Sequence, residues 1–443
     1  MKRYESYKDS DINWLGTIPE NWEISRLKNL GNAIIGLTYS PDDIVEKEKG
    51  ILVLRSSNIQ NDLPDFSDTV YVDKKPKKSL ITKSGDILIC SRNGSRALIG
   101  KNIRIDDNTS GVTFGAFMTI YRSRYSAYLS YFFKSQLFDY QSGAFMTSTI
   151  NQLTISTLNQ LTTLFPPLEE QIAIAEYLDT KTQAIDKKIS LLEKKIGYYQ
   201  ELRKSLINET VTKGLDKNTE LKNNELGFTT PKSWLRYRLK DLGELYSGLS
   251  GKSGDDFNQD NNPDNKGFIP FTNIANNTYL KRDHLGTVVV YEGEKQNRVR
   301  KGDIFFLMSS EGYEDIGKSA ALAEDIEETY LNSFCKGYRV NPRKTNPYFL
   351  NYLMLSDYYR QLLIVEGKGF TRINLKMEKV NDFLVYIPDT LSAQDEIVKF
   401  LDAKLDTIAK IIANIQTQIT TLKELRKTLI NDVVTGKIKV IQD

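Results

Sequence analysis

Polar loops that follow apolar runs carry the residue types that could bind nucleic acid bases. In the first half of the chain, Ser91 to Arg96 reads SRNGSR, directly after the run ILIC. Arginine and asparagine can each form two hydrogen bonds with a base edge in the major groove, arginine with guanine and asparagine with adenine. In the second half, Ser309 to Tyr313 reads SSEGY, shortly after the run IFFL. A polar hairpin turn is the alternative interpretation of each loop.

The candidate DNA-contacting residues are polar, aromatic or cationic side chains in these loops and in repeated motifs described below. They are Ser57, Asn58, Arg92, Asn93, Ser95, Arg96 and Lys101 in the first half, and Thr272, Asn273, Ser309, Ser310, Tyr313, Lys318, Lys368, Arg372 and Asn374 in the second. Basic clusters at 74–78, 298–301 and 368–372 could neutralise phosphates. Solvated surface charge is the alternative for each cluster.

The sequence contains no recognisable set of catalytic residues. Its one histidine, His284, cannot by itself form the His-carboxylate or Cys-His pair of a hydrolase. Cys90 and Cys335 lie far apart, each in an apolar run, so no zinc site is encoded. A GxxxxGK[ST] phosphate loop is also missing from the sequence. We therefore predict a non-catalytic chain that binds no metal or cofactor of its own.

Two short motifs are similar to pieces of DNA-modifying enzymes, but both are incomplete. Asn346 to Phe349 (NPYF) resembles the Asn-Pro-Pro-Tyr/Phe motif of adenine methyltransferases without its second proline, and it is placed to open a helix. Pro41 to Asp43 (PDD) could begin a PD-(D/E)xK nuclease core. Because no suitably placed Glu-x-Lys completes that core, we predict a turn there.

Composition narrows the class without choosing a function. The 443 residues are 40% hydrophobic and 26% charged, as in ordinary soluble proteins, and the length favours two to four domains. A net charge of +3 neither demands nor excludes a nucleic acid partner, because a polyanion responds to local basic patches. Two buried thiols, no signal peptide and no apolar run of about 18 residues predict a cytoplasmic protein without a membrane span.

Two long stretches of the chain are versions of the same helix. Gln171 to Thr212 aligns without a gap with Gln394 to Thr435, at a separation of 223 residues. Such self-similarity indicates a tandem duplication. Pro166 and Pro167 precede the first copy, and Gly214 and Gly436 follow the two copies where a left-handed C-terminal cap would fall.

Apolar residues in both copies alternate at spacings of three and four, which is typical of a coiled-coil seam. The predicted seam consists of Leu178, Ile185, Ile189, Leu192, Ile196, Tyr199 and Leu206 in the first copy and of Leu401, Leu405, Ile408, Ile412, Ile415, Ile419, Leu422 and Leu429 in the second. Each rod of about 42 to 45 residues would be roughly 65 Å long. Two equal rods can cover both seams by packing on each other, and a pseudo-twofold relation would make that pair antiparallel.

The regions between the helices, 15–165 and 226–390, repeat more faintly. Leu15 to Trp22 (LGTIPENW) corresponds to a second LG at 226–227 followed by PKSW at 231–234. Gly85 to Ile89 (GDILI) matches Gly302 to Phe306 (GDIFF), and RSSNI at 55–59 faces FTNI at 271–274. The frame is therefore shared, whereas the loops have diverged.

Short β-branched and aromatic runs alternate with Gly, Asn and Asp turns in both regions, which indicates mainly antiparallel sheets. Helical stretches around 127–138 and 347–363 make the predicted class α+β. The predicted organisation is a first globular domain at 1–167, a central helix at 168–214, a second domain at 215–391, and a distal helix with a tail at 392–443.

Several motifs of the chain, taken together, resemble those of one protein family. The opening Leu15 to Trp22, the helix entry Phe165 to Gln171 (FPPLEEQ) and the twice-used ELRKxLIN at 201–208 and 424–431 are similar to the specificity subunit of type I restriction-modification enzymes. The resemblance covers nearly the whole chain. In the second copy, Ile387 to Gln394 (IPDTLSAQ) replaces the double proline, which leaves the start of that helix open.

The resemblance implies a non-catalytic DNA-binding subunit with two target recognition domains, each reading one half of a split, asymmetric sequence. It also implies that the paired helices act as a spacer and as the dock for two modification subunits and a restriction subunit. S-adenosylmethionine, ATP and Mg would be used by those partners. A two-lobed coiled-coil scaffold or protein-interaction module without DNA specificity is the alternative.

Overall fold

A computed structural model describes residues 2–12, 14–145, 151–259 and 261–441. The chain forms two units, Met1–Glu193 with Gln416–Asp443 and Lys194–Ile415. Two long helices, α4 (Leu168–Lys213) and α10 (Leu391–Val434), each contribute one part to each unit. The second helix therefore begins at Leu391, three residues after the last proline before it.

Unit 1 contains fourteen short strands and three short helices among its described residues. The strands are β1 Tyr7–Asp9, β2 Thr17–Pro19, β3 Glu23–Arg26, β4 Asn32–Ile35, β5 Ile44–Val45, β6 Ile51–Leu54, β7 Ile59–Gln60, β8 Leu63–Pro64, β9 Tyr71–Val72, β10 Ile87–Cys90, β11 Asn102–Arg104, β12 Thr113–Phe114, β13 Met118–Arg122 and β14 Thr162–Phe165. The helices are α1 Ser126–Phe132, α2 Gln136–Phe145 and α3 Ile155–Gln160.

Unit 2 also contains fourteen short strands among its described residues, but five short helices. Its strands are β15 Leu221–Asn223, β16 Thr229–Pro231, β17 Leu235–Arg238, β18 Gly243–Ser247, β19 Asn265–Ile269, β20 Tyr279–Leu280, β21 Gly286–Val289, β22 Ile304–Leu307, β23 Ser309–Ser310, β24 Ser319–Leu322, β25 Thr329–Leu331, β26 Cys335–Val340, β27 Ile373–Asn374 and β28 Leu384–Ile387. Its helices are α5 Leu239–Leu242, α6 Phe271–Asn276, α7 Pro347–Leu355, α8 Asp357–Glu366 and α9 Met377–Asn381.

The main sheets of the two units have the same strand order. In unit 1 the order is β11-β10-β13-β4, and in unit 2 it is β24-β22-β26-β18, with an extra edge strand, β20, paired to β24. A second sheet pairs β6 with β12 in one unit and β19 with β25 in the other, in parallel both times. The remaining strand pairs of both main sheets are antiparallel except β20 with β24, which confirms the predicted α+β class with mainly antiparallel sheets.

The long helices complete the core of each unit. In unit 1, Ile174 and Leu178 near the start of α4 share one hydrophobic cluster with Val433 and Val434 at the end of α10. In unit 2 the opposite ends share a cluster, which includes Val211 of α4 and Leu401 of α10. The start of one helix therefore meets the end of the other within each unit, as an antiparallel pair requires.

All fifteen predicted seam residues are buried or half-buried, from Leu178 to Leu429. Both helices end at a glycine in the left-handed region, Gly214 with φ +78° and Gly436 with φ +73°. A Cβ at Gly436 would also lie 2.5 Å from Pro19. Glycine is thus required at the end of α10 by conformation and by close approach.

Both cysteines are free and buried. Burial raises the pKa of Cys90 and raises that of Cys335 to about 12, so both remain uncharged thiols near neutral pH. Asn346 caps α7 by accepting hydrogen bonds from the backbone N–H of Tyr348 and Phe349, at 2.7 and 3.1 Å. The NPYF motif is therefore a helix start, as predicted, and Pro41–Asp43 forms the predicted turn.

Candidate nucleic-acid interface

Two loops of unit 1 that carry predicted DNA-contacting residues meet in the structure. The Asn93 side chain amide donates to Ser56 Oγ at 3.2 Å, and Asn93 Oδ1 accepts from the backbone N–H of Ser95 at 2.9 Å. Asn151 donates to the Gly94 carbonyl at 3.1 Å, which braces the glycine turn. The loop after β10 and the turn Ser56–Asn58 therefore form one polar surface.

The cations of unit 1 lie on or beside this surface. The Arg92 guanidinium lies 5.2 Å from the centre of the Phe117 ring, and Phe117 is 58% exposed. Lys101 donates to Gln60 Oε1 at 3.4 Å, and Arg96 reaches the Gly143 carbonyl at 3.4 Å. These long, exposed contacts leave the cations able to exchange their partners for phosphates or base edges.

In unit 2 the equivalent surface is built by strand pairing. Ser309 pairs with Asn374 and Ser310 with Ile373, so residues more than sixty positions apart become neighbours. The Arg372 guanidinium lies 5.0 Å from the centre of the Phe334 ring, and Phe334 is 50% exposed. The structure thus brings together Ser309, Arg372 and Asn374.

Sequence reasoning missed the two exposed phenylalanines. Phe117 and Phe334 occupy matching places, since each precedes the strand that pairs with the buried strand of the GDI motif, β10 or β22. An arginine covers each ring, but Arg92 comes from the loop after β10 and Arg372 from the segment before β27. The matching GAF and NSF positions ahead of Met118 and Cys335 were the available signal.

Two predicted base-contacting asparagines are used by the fold instead. Asn58 is 1% exposed, and its amide binds the carbonyls of Asp65 and Asp68 at 2.9 and 2.7 Å. Its Oδ1 accepts from the backbone N–H of Arg55. At the matching position, the Asn273 amide donates to the His284 carbonyl. Both side chains shape turns, and their donors are already engaged.

The other candidates differ in how freely their polar atoms face solvent. Ser57 is half-buried, and its hydroxyl has no hydrogen-bond partner among the described residues. Thr272 is exposed on α6, and Tyr313 is exposed in the loop after β23. Ser310 is buried and accepts from the Gly312 N–H, and Lys318 pairs with Asp315 at 2.6 Å.

Two of the three predicted basic clusters are partly neutralised. Lys74 binds Asp43 at 2.8 Å, and this contact lowers the pKa of the Asp43 carboxyl to about 2. Arg298 binds Glu328 at 2.6 Å and Lys301 binds Asp325 at 3.3 Å. Within the described ranges, Lys368 and Arg372 of the third cluster are exposed and make no ion pair, so their charges are available to an anionic partner.

The long helices hold these domains through a repeated contact. The Tyr131 hydroxyl donates to Asp179 of α4 in unit 1, and the Tyr352 hydroxyl donates to Asp402 of α10 at 2.6 Å in unit 2. Asp179 and Asp402 occupy equivalent positions of the duplicated helix. Each surface loop set is therefore carried by a domain that is hydrogen-bonded to one of the long helices.

The described residues offer neither a metal site nor a membrane-spanning helix. None of their groups of His, Cys, Asp or Glu could hold a metal ion. None of the described helices combines the length and the apolar character that a membrane span requires.

A fold with two α+β domains of equal topology, unlike polar loops and two shared long helices has the features of a modular recognition protein. The profile of the type I restriction modification DNA specificity domain matches residues 19–195 and 231–421. The chain therefore belongs to the type I restriction-modification specificity subunit family. Members of this family recognise DNA sequence, are non-catalytic, and are not themselves cofactor-binding enzymes.

Individual relatives agree with this assignment. The EcoKI specificity subunit of Escherichia coli K12 is 30% identical over 178 residues, which span 39% of this chain and 38% of that protein. The StySPI specificity subunit of Salmonella potsdam is 24% identical over 434 residues, which span 92% of this chain and 88% of that protein. The similarity to StySPI thus includes both units.

Solved structures share the fold. A chain from work on complex assembly and conformational transition of the type I R-M system superposes with a TM-score of 0.71 at 15% identity, covering 95% of this chain and 99% of that chain. The HsdS subunit of Thermoanaerobacter tengcongensis gives a TM-score of 0.54 at 14% identity, covering 95% and 98%. At these identities the likeness concerns the fold alone.

Proposed function

We propose that this chain reads a bipartite, asymmetric DNA sequence, with one recognition domain for each half. One observation supports this proposal above all. Four strands of the main sheet have the same order in units 1 and 2, whereas the loops that follow them have different sequences. A shared scaffold supports the same mode of binding in both halves. Different side chains at matching places favour two different half-sites.

The surface around Arg92, Asn93 and Phe117 would contact the first half-site, and that around Ser309, Arg372 and Asn374 the second. Exposed arginines and asparagines supply the bidentate donors that guanine and adenine edges accept. The other proposed contacts to bases or phosphates are Ser57, Ser95, Arg96, Lys101, Thr272, Tyr313, Lys318 and Lys368. Asn58, Asn273 and Ser310 would act by shaping the loops.

The division into recognition domains at 1–167 and 215–391, a spacer helix at 168–214 and a distal helix with tail at 392–443 also belongs to this proposal. The helices would set the spacing between half-sites and dock two modification subunits and a restriction subunit. Those partners would supply S-adenosylmethionine-dependent methylation and the ATP- and Mg-dependent steps. Because the assembly would act on cellular DNA, we also propose that it is located in the cytoplasm. Exposed apolar residues on the helices, such as Leu191, Tyr198 and Leu425, support a docking role.

The first test is methylome sequencing of the host with and without the gene. We expect one split motif to lose its methylation, which would give both half-sites and their separation. Filter binding of the chain with its modification subunits should then retain that duplex in preference to random duplex at moderate salt. Assembly without sequence-selective retention would instead favour a two-lobed protein-interaction scaffold.

A further inference from the structure

Phe370 is the most exposed large apolar side chain among the described residues, at 106% of its reference area. It lies in the segment between α8 and β27, within the third basic cluster. A phenylalanine that contacts so little of its own fold contributes nothing to the hydrophobic core. Its ring is therefore available to contact a partner.

The segment that carries Phe370 is a turn held in place by backbone hydrogen bonds. Lys368 and Asn374 exchange two backbone hydrogen bonds, of 3.0 and 2.9 Å, which close the turn at its base. Ile373 and Leu375 are buried just beyond that base. Gly369 has φ +149°, and a Cβ there would lie 1.9 Å from the Arg372 carbonyl oxygen. Glycine therefore lets the backbone fold tightly beside Phe370.

The charges around Phe370 favour a polyanion over an apolar protein surface. Residues 367–376 contain three cations, Lys368, Arg372 and Lys376, and no acidic residue. Lys368, Thr371 and Arg372 are all exposed. An apolar tip between exposed cations matches a nucleic acid groove, where phosphates flank the apolar faces of stacked bases.

We propose that Phe370 is a wedge that enters between neighbouring base pairs of the second half-site, while Lys368 holds a flanking phosphate. This inference rests on the proposed function of unit 2. Apolar wedges of this kind unstack one base step and bend the duplex, and the cost is offset by the contacts that follow. Phe370 would thus read how easily a step deforms rather than its hydrogen-bonding edges.

The test uses the chain assembled with its modification subunits and a duplex that carries the motif lost from the methylome. Single 2-aminopurine bases replace successive adenines on either strand of the second half-site, because this base brightens when it is unstacked. We expect one position to brighten with the unchanged chain and to stay dark with Phe370→Ala. Affinity should fall about ten- to hundredfold in that variant, whereas Phe370→Trp should preserve both signals.

Matched variants separate a wedge from other roles. Val365→Ala removes an exposed apolar side chain from the neighbouring helix α8 and should change neither signal. Phe370→Ala should leave the salt dependence of binding unchanged, whereas Lys368→Ala should reduce its slope by about one phosphate contact. If Phe370→Ala binds and brightens like the unchanged chain, or instead blocks subunit assembly, the wedge is wrong. Loss of selective binding by the unchanged chain would overturn the proposed function as well.

Discussion

Two ion pairs at matching positions hold the main sheets of the two units. Arg122 donates to Asp86 through Nε and Nη2 at 2.7 Å each, and Arg339 donates to Asp303 at 3.0 and 2.7 Å. The Asp86 and Asp303 side chains are 2% and 3% exposed. Hydrogen bonding to the carboxylate raises the pKa of each guanidinium. The aspartate of each GDI motif thus forms a buried ion pair. The motif is repeated because of this structural role, and it lies outside the loops that carry the candidate DNA contacts.

We expect Asp86→Ala to lower the free energy of unfolding of unit 1 by roughly 3 kcal/mol, because it leaves the Arg122 charge without its partner. The figure is at the low end of the usual range, since Arg122 keeps 25% of its side chain exposed. Urea denaturation combined with hydrogen exchange, read separately for each unit, measures the change.

Glu46→Ala is the control for this substitution, because it removes a carboxylate from an exposed ion pair with Lys49. Its unfolding midpoint should match that of the unchanged chain within error. Equal destabilisation by both substitutions would show that the buried pair has no special weight.

At the scale of elements, the repeated ELRK sequence attaches the helices to the domains with unequal strength. Arg426 on α10 binds Asp62 at 2.9 Å and Asp186 of α4 at 3.0 Å, and its side chain is 16% exposed. Among the described residues, the equivalent Arg203 on α4 donates to Thr278 Oγ1 alone, at 3.2 Å. In unit 1 the arginine therefore joins both long helices to the β7–β8 hairpin.

Arg426→Ala should weaken the attachment of that hairpin by roughly 2 kcal/mol, because two charge-assisted hydrogen bonds are lost. Hydrogen exchange of residues 59–64 should become faster. Arg203→Ala is the matched variant in the second copy and should produce a smaller change around residue 278. Unchanged exchange at 59–64 would refute this role of Arg426.

The sequence predicts elements well where a signal is local and poorly where it depends on pairing across the fold. The heptad spacing and the terminal glycines indicate both long helices, because helical periodicity lies in neighbouring residues. The joining of Ser309 to Asn374 depends on strand pairing across sixty residues, so it is not visible in either segment. Asn58 has the right chemistry for a base contact, but its burial is decided by the turn around it.

At the scale of the whole molecule, the proposed spacer role predicts a change in DNA spacing with helix length. Removing one heptad between Thr180 and Leu206, together with the equivalent heptad of α10, shortens each helix by about 10 Å. The preferred gap between half-sites should decrease by about 3 base pairs, with both half-sites unchanged. Methylome sequencing of the variant strain measures both quantities.

The control for this deletion keeps the helix length and replaces the exposed residues of the same heptad by alanine. This variant should methylate the original motif. Altered half-sites at an unchanged gap would mean that the helices do not set the spacing.

Unit 1 combines residues from the beginning of the chain with residues from its end, which are synthesised first and last. Its core includes Val433 and Val434, and the backbone N–H of Lys439 donates to the Lys2 carbonyl at 2.9 Å. Domains usually fold in the order in which they leave the ribosome. Here the domain that emerges first must wait for the end of α10, whereas unit 2 is complete by Ile415. A nascent chain interrupted between Ile415 and the end of α10 would therefore carry a complete unit 2 and an incomplete unit 1.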